Sequence, residues 1–296
     1  MIYKNILDTI GNTPIIKINK IYNKKDVNIY AKIEGVNPGG SIKDRTALKM
    51  ISEAEREGKL DENKTIIEAT SGNTGIALAM IGAIRGYKVE IIMSKAVSIE
   101  RRKMIASFGA NIVLTDADKG TDGAIQKARE LVAENPDKYF HTDQYSNIYN
   151  KLAHTKTAEE IWEQTNGNID YFVASIGTSG TLMGIGETLK KYNKNIKIVS
   201  AEPVEGHYIQ GLKNMNEAIM PEIYKKEQLD QIIMVDTEDA YQMSRDIIKK
   251  EGIFVGMSSG AAMWASLELA KKQDRGNIVT IFPDRGEKYL STNLFL

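Results

Sequence analysis

Seven short runs rich in β-branched residues punctuate the chain, and their spacing limits the fold more than any other feature. They are "NIYAKIE" (28–34), "TIIEAT" (65–70), "KVEIIM" (88–93), "NIVLTD" (111–116), "DYFVASIG" (170–177), "IKIVSAE" (196–202) and "NIVTIF" (277–282). Most of the gaps between them hold one helical stretch. Strand, helix, strand at this rhythm predicts parallel sheets with right-handed crossovers and helices on both faces, a doubly wound α/β protein. With 296 residues, 42% of them hydrophobic, the chain is long enough for two ordinary domains. "LAHTKTAEEIWEQTNG" (152–167) reads as a helix joining two such units, which puts a boundary near residue 145. No repeat, low-complexity tract or flexible linker is apparent.

Charge and residue usage narrow the chemistry. Lys plus Arg and Asp plus Glu both number 39, so no net field recruits nucleic acid or an anionic membrane, and a small molecule is the expected partner. The start, "MIYKNILDTIGNTP", lacks the cationic and apolar regions of a secretion signal, and no segment reaches the roughly 18 apolar residues of a membrane span. A cytoplasmic protein is expected. The chain has no cysteine, which removes disulfides, thiolate nucleophiles and cysteine-bound metals. Its three histidines, His141, His154 and His207, lie far apart and read as polar surface or loop residues, so no metal site is expected.

Four loops carry the polar chemistry. In "NPGGSIKDR" (37–45), Ser41 and Asp44 fit an acidic variant of the capping box, with Ala47, Leu48, Ile51 and Ala54 at helical spacing behind them. Lys43 then sits in a first turn, where the positive end of the helix dipole and partial burial would lower its pKa and free a nucleophilic amine. The stretch alone is equally compatible with a solvated lysine. "TSGNTG" (70–75) opens an apolar helix and offers amides and hydroxyls to an anion, or simply caps that helix with Thr70 or Ser71. "GTSGT" (177–181) presents a nest of amides suited to one phosphate. It is no Walker loop, and the nearby Gly184–Gly186 pair is no dinucleotide fingerprint. "GMSSGAA" (256–262) follows the β-like run "GIFVG" and places two serines at a helix start, where capping alone would account for them.

Taken together and in this order, the four loops resemble those of the cysteine synthase family, fold-type II pyridoxal-phosphate enzymes with a tryptophan synthase β-like architecture. The likeness runs from "TIGNTPIIKI" (9–18) to "GEKYLSTNLF" (286–295), and "IEATSGNTGIALAM" and "PDRGEKYLST" are similar to the B-type members. The resemblance implies two doubly wound domains with mainly parallel sheets: residues 40–145 as a smaller, mobile, substrate-closing domain, and 1–39 plus 146–296 as a larger domain that binds the cofactor phosphate.

It also implies roles. Lys43 would hold pyridoxal 5′-phosphate covalently and then act as the base for the substrate α-proton. Asn73 would bond the ring hydroxyl oxygen, Gly177, Thr178, Ser179, Gly180 and Thr181 would hold the phosphate, and Ser258 would face the ring nitrogen. A neutral serine there does not enforce ring protonation, which suits replacement at the β-carbon. Thr70, Ser71, Thr74 and Gln144 match positions that bind the substrate α-carboxylate. The implied reaction makes L-cysteine from O-acetylserine and sulfide through an α-aminoacrylate in a homodimer. The alternative is a catabolic relative that releases hydrogen sulfide from cysteine.

Three departures qualify the likeness. B-type members often carry two basic residues and an aromatic after the glycine of "GLKNMNEAIMPEIY" (211–224), whereas this chain has Lys213, Asn214 and Met215, which weakens the case for thiosulfate as sulfur donor. Pro283 stands where some relatives have a cysteine. The chain ends soon after "YLST", so a C-terminal lid is not expected.

Overall fold

The computed structural model describes residues 2–70, 72–217 and 219–295. Its strands are β1 (Ile15–Lys17), β2 (Val27–Ile33), β3 (Thr65–Ala69), β4 (Lys88–Ser94), β5 (Asn111–Thr115), β6 (Tyr139–His141), β7 (Tyr171–Ser175), β8 (Lys197–Pro203), β9 (Gln231–Val235) and β10 (Gly276–Phe282). They form a six-stranded sheet in the order β1-β2-β10-β7-β8-β9 and a four-stranded sheet in the order β5-β4-β3-β6. Neighbours in both sheets run parallel except β1, which is antiparallel to β2. The helices are α1 (Lys43–Arg56), α2 (Asn73–Arg85), α3 (Ile99–Ser107), α4 (Gly120–Glu134), α5 (Ile148–Leu152), α6 (His154–Gln164), α7 (Gly180–Tyr192), α8 (Thr237–Asp246) and α9 (Met257–Lys271).

Each sheet is buried on both faces because its strands alternate between two apolar clusters. In β7, Phe172 and Ala174 pack with Ile161, Leu182 and Ile185 of α6 and α7, while Val173 points the other way, among Ala261 and Leu269 of α9. In β3, Ile66 packs with Ala47 of α1 and Ile76 and Ile81 of α2, whereas Ile67 and Ala69 meet Ala124, Ile125 and Ala128 of α4. This two-sided covering is the doubly wound α/β arrangement. The seven expected strands are present within a residue or two of their predicted limits. β1 and β6 are three residues long, too short to show a period, and β9 lies at a sheet edge. The run "GIFVG" makes only an isolated bridge from Val255 to Arg285.

The loops after β2, β3, β7 and β10 all leave from carboxyl ends of strands, the side on which open parallel sheets bind ligands. β3 to β6 fall within residues 40–145, and β1, β2 and β7 to β10 fall outside that segment. Among the described residues, no helix is long and apolar enough to cross a membrane, and no group of three or more His, Cys, Asp or Glu could hold a metal ion.

Candidate active site

Lys43 is the first residue of α1 and stands on the wall of a cleft between the two sheets. The capping differs from the box expected. Ser41 Oγ accepts from the Lys43 backbone N–H at 3.2 Å, but the Asp44 carboxylate turns back to accept from the Gly39 N–H at 2.6 Å, bracing the glycine turn rather than closing a reciprocal cap. Gly40 adopts φ +77° in that turn, a conformation glycine enters without penalty. Two residues after Lys43, Arg45 bonds Glu34 and Glu160, and Glu160 also takes Lys32; all four are buried. Breaking such a network typically costs about 3–5 kcal/mol, so it fixes the start of α1 firmly against α6.

Burial lowers the Lys43 pKa to about 8, with the Asp284 carboxylate pulling the other way. Desolvation is the larger of the two causes, and it leaves more of this amine unprotonated near neutral pH than an exposed lysine would have. On ligand-free protein, acylation of Lys43 by acetic anhydride is expected to rise about tenfold per pH unit up to pH about 8 and to level off above it. An unperturbed lysine would keep rising to about pH 10.4. Peptide mass spectrometry of the 43-containing fragment reads the profile directly.

The loop after β7 forms the opposite wall. Gly177, Thr178, Ser179 and Thr181 line the cleft, and Gly180 opens α7 between the last two. Ser179 has φ +67°, which turns the chain so that the N–H groups of the first turn of α7, with no intrahelical acceptors, face inward. There is no room for side chains at the glycines: a Cβ on Gly177 would lie 2.5 Å from the Gly211 carbonyl oxygen, and one on Gly180 2.1 Å from Asn150 Oδ1. Ser179 Oγ and Asn73 Oδ1 are buried without a hydrogen-bond partner among the described residues. Close backbone approach, free amides and unpaired oxygens together fit an anionic ligand that carries further polar atoms.

The third wall comes from the end of β3 and the start of α2. Thr70, Asn73 and Thr74 line the cleft with Gln144. Thr70 Oγ1 accepts from the Gly72 N–H at 3.0 Å rather than capping α2, whose N-cap is Gly72. Thr74 Oγ1 donates to Gln144 Oε1 at 2.7 Å, and Gln144 Nε2 donates to Ala69 O at 2.9 Å. Ser71 lies outside the described residues. Ser258, in the first turn of α9, faces the cleft and is 7% exposed.

Several residues of the site carried no signal that singled them out. Glu68, fully buried in β3, accepts from Thr142 Oγ1 and from the Gln144 N–H, and burial raises its pKa; an acid inside "TIIEAT" was the available clue. Asp284 accepts from Asn73 Nδ2 at 2.8 Å and from Tyr289 Oη at 2.7 Å, and so sets the orientation of Asn73. Asn150 Nδ2 donates to Thr178 Oγ1 and to Gln144 O, joining two walls.

His154 corrects the expectation of a surface or loop histidine. It is fully buried in α6, with Nε2 3.2 Å from both Thr46 Oγ1 and Thr181 Oγ1. Burial, then the charges of Lys43 and Arg45, hold its pKa well below the usual value, so a neutral ring braces the glycine loop after β7 from behind. Lys213, in the loop after β8, and Pro283, just after β10, reach the cleft, but Asn214 turns away to donate to Pro203 O, and Met215 is buried in the core.

Residues 6–284 match the family described as pyridoxal-phosphate dependent enzyme. The chain is 52% identical to the cysteine synthase of Aquifex aeolicus, over 99% of this chain and 92% of that one. The cysteine synthase of Entamoeba histolytica superposes with TM-score 0.94 at 44% identity, covering all of this chain and 91% of that one. A hydrogen sulfide-producing enzyme from Fusobacterium nucleatum superposes with TM-score 0.93 at 41% identity, over 98% of this chain and all of that one.

Proposed function

Because the chain belongs to the cysteine synthase family of pyridoxal-phosphate dependent enzymes, we infer that it makes L-cysteine from O-acetylserine and sulfide by β-replacement. The observation that carries this reading is the meeting, in one cleft, of a desolvated lysine, an anion loop and the Thr70–Thr74–Gln144 wall. The cofactor is pyridoxal 5′-phosphate, which when bound supplies the electron sink that makes the substrate α-proton acidic.

In this reading Gly177 to Thr181 hold the phosphate through backbone N–H groups and hydroxyls, Asn73 bonds the ring hydroxyl oxygen, and Ser258 faces the ring nitrogen. Thr70, Ser71, Thr74 and Gln144 hold the substrate α-carboxylate, which fixes the α-proton relative to Lys43. A pKa of about 8 leaves the Lys43 amine able to take that proton near neutral pH and to return it to the product α-carbon. Residues 40–145 form a smaller domain that closes over the carboxylate and excludes water, and 1–39 with 146–296 form the domain that holds the phosphate. The enzyme works as a cytoplasmic homodimer. Sedimentation of the purified protein tests the assembly.

The second reading, release of hydrogen sulfide from cysteine, is favoured by the likeness to the Fusobacterium enzyme. Both first halves use the same lysine and carboxylate site, so only rates separate them. Acetate release from O-acetylserine and sulfide release from cysteine should be timed on one preparation at equal concentration. Acetate release is expected to be at least about tenfold faster. Faster sulfide release would replace the biosynthetic reading with the catabolic one.

A further inference from the structure

Two opposite charges meet at the mouth of the cleft. Lys213 follows β8, and its backbone N–H donates to Ile176 O at 3.0 Å, one residue before the glycine loop. Asp122 lies in the first turn of α4, which packs on the four-stranded sheet. Lys213 Nζ donates to Asp122 Oδ1 at 2.8 Å and stands 4.7 Å from the centre of the Tyr145 ring. Lys213, Tyr145 and Thr121, the neighbour of Asp122, all line the cleft. The Lys213 side chain is 9% exposed and that of Asp122 39%, so the cation is on the inside and its carboxylate is toward solvent.

A lysine this far desolvated at a cleft mouth attracts anions unless its charge is already matched. Here one N–H is committed to a carboxylate and the ammonium rests near an aromatic face. The next residue adds no cation, since Asn214 is turned to Pro203 O. A divalent oxyanion arriving at this mouth meets the Asp122 charge first and must break the pair before it can use Lys213. A small monovalent or neutral nucleophile has no such need.

We propose that Asp122 is a specificity-determining residue: by holding Lys213 it closes the cleft to divalent oxyanions and leaves it open to a small nucleophile such as hydrosulfide. Asp122 acts through Lys213, so it is a positioning residue for that amine and touches no reacting atom. The proposal rests on the reading that the second substrate is a sulfur nucleophile.

Inorganic thiosulfate is the probe, measured on the holoenzyme by calorimetric binding and by the ratio of kcat/KM for thiosulfate to that for sulfide. In Asp122→Asn, which keeps the shape of a part-exposed side chain and removes its charge, thiosulfate is expected to bind about tenfold more tightly or better. The rate ratio should rise by a similar factor, through KM rather than kcat. The Asp122→Asn/Lys213→Met double variant should return both quantities to parental values. Asp122→Ser, as a second single variant, should behave as Asp122→Asn does. Unchanged thiosulfate binding in both single variants, or a gain that survives loss of the lysine, would overturn the proposal. The binding comparison needs no turnover. A parent that releases no acetate from O-acetylserine would therefore sink the biosynthetic reading while leaving this question decided.

Discussion

Lys43→Ala is expected to leave both sheets intact and to reduce turnover by about 10³-fold or more. The fold should survive because Nζ makes no hydrogen bond or ion pair among the described residues, while α1 stays anchored through Arg45, two positions on. Alanine is also the best helix former at an α1 position. The chemistry should not survive, since among the described residues the other lysine lining the cleft, Lys213, is paired with Asp122; general base catalysis and covalent catalysis are lost together. Borohydride reduction followed by peptide mass spectrometry measures covalent attachment, and acetate release measures turnover. Attachment at the parental level, or turnover within about tenfold of the parent, would remove Lys43 from its proposed role. Retention of non-covalent cofactor is expected, because the loop from Gly177 to Thr181 is untouched by the substitution.

The inner strands of the sheets were legible because they bury both faces and so read as nearly continuous β-branched runs. Ile66, Ile67, Ile91 and Ile92 show it, alternating between the two apolar clusters of the four-stranded sheet. β1 and β6 were not legible, since three residues contain no period. The loops of the site were legible for a different reason: taken singly, small and hydroxylated residues at strand-to-helix junctions are explained by capping, and only the four loops together and in order pointed to one cleft, which they all line. What sequence could not convey was the layer behind them. Asp284 meets Asn73 across 211 positions, and Arg45 meets Glu160 across 115, distances at which only the folded chain selects partners. His154 misled for the same reason. A lone histidine in a polar helix reads as solvated, and only the approach of Thr46 from α1 and Thr181 from α7 turns that face into an interior.

Gly177→Ala tests whether the geometry of that loop, rather than its composition, holds the cofactor. The backbone of Gly177 is not in the left-handed region, so alanine meets no conformational penalty there, and the effect should come from contact alone. The new Cβ would stand 2.5 Å from the Gly211 carbonyl oxygen. A backbone oxygen cannot swing aside as a side chain does. Relief to an ordinary contact needs a displacement of about 1 Å, and the neighbouring loop is tied down by the Leu212 and Lys213 N–H bonds to Ile209 O and Ile176 O. The displacement therefore falls on the glycine loop itself, moving the bound phosphate and everything attached to it relative to Lys43. A misplacement of this size typically costs about a hundredfold in rate, with overpacking costing about 1–3 kcal/mol of stability. Cofactor binding, followed by dialysis and absorbance, is expected to be weakened at least about tenfold, and kcat/KM lowered about a hundredfold. Gly186→Ala, further along α7, supplies the control: the nearest atoms to its Cβ belong to the Ile198 side chain of β8, at 3.0 Å, so it should lose stability while keeping the cofactor. Should Gly177→Ala retain cofactor as the parent does, or should Gly186→Ala lose it equally, the loop would not be the phosphate holder, and the unpaired Ser179 hydroxyl would need another ligand.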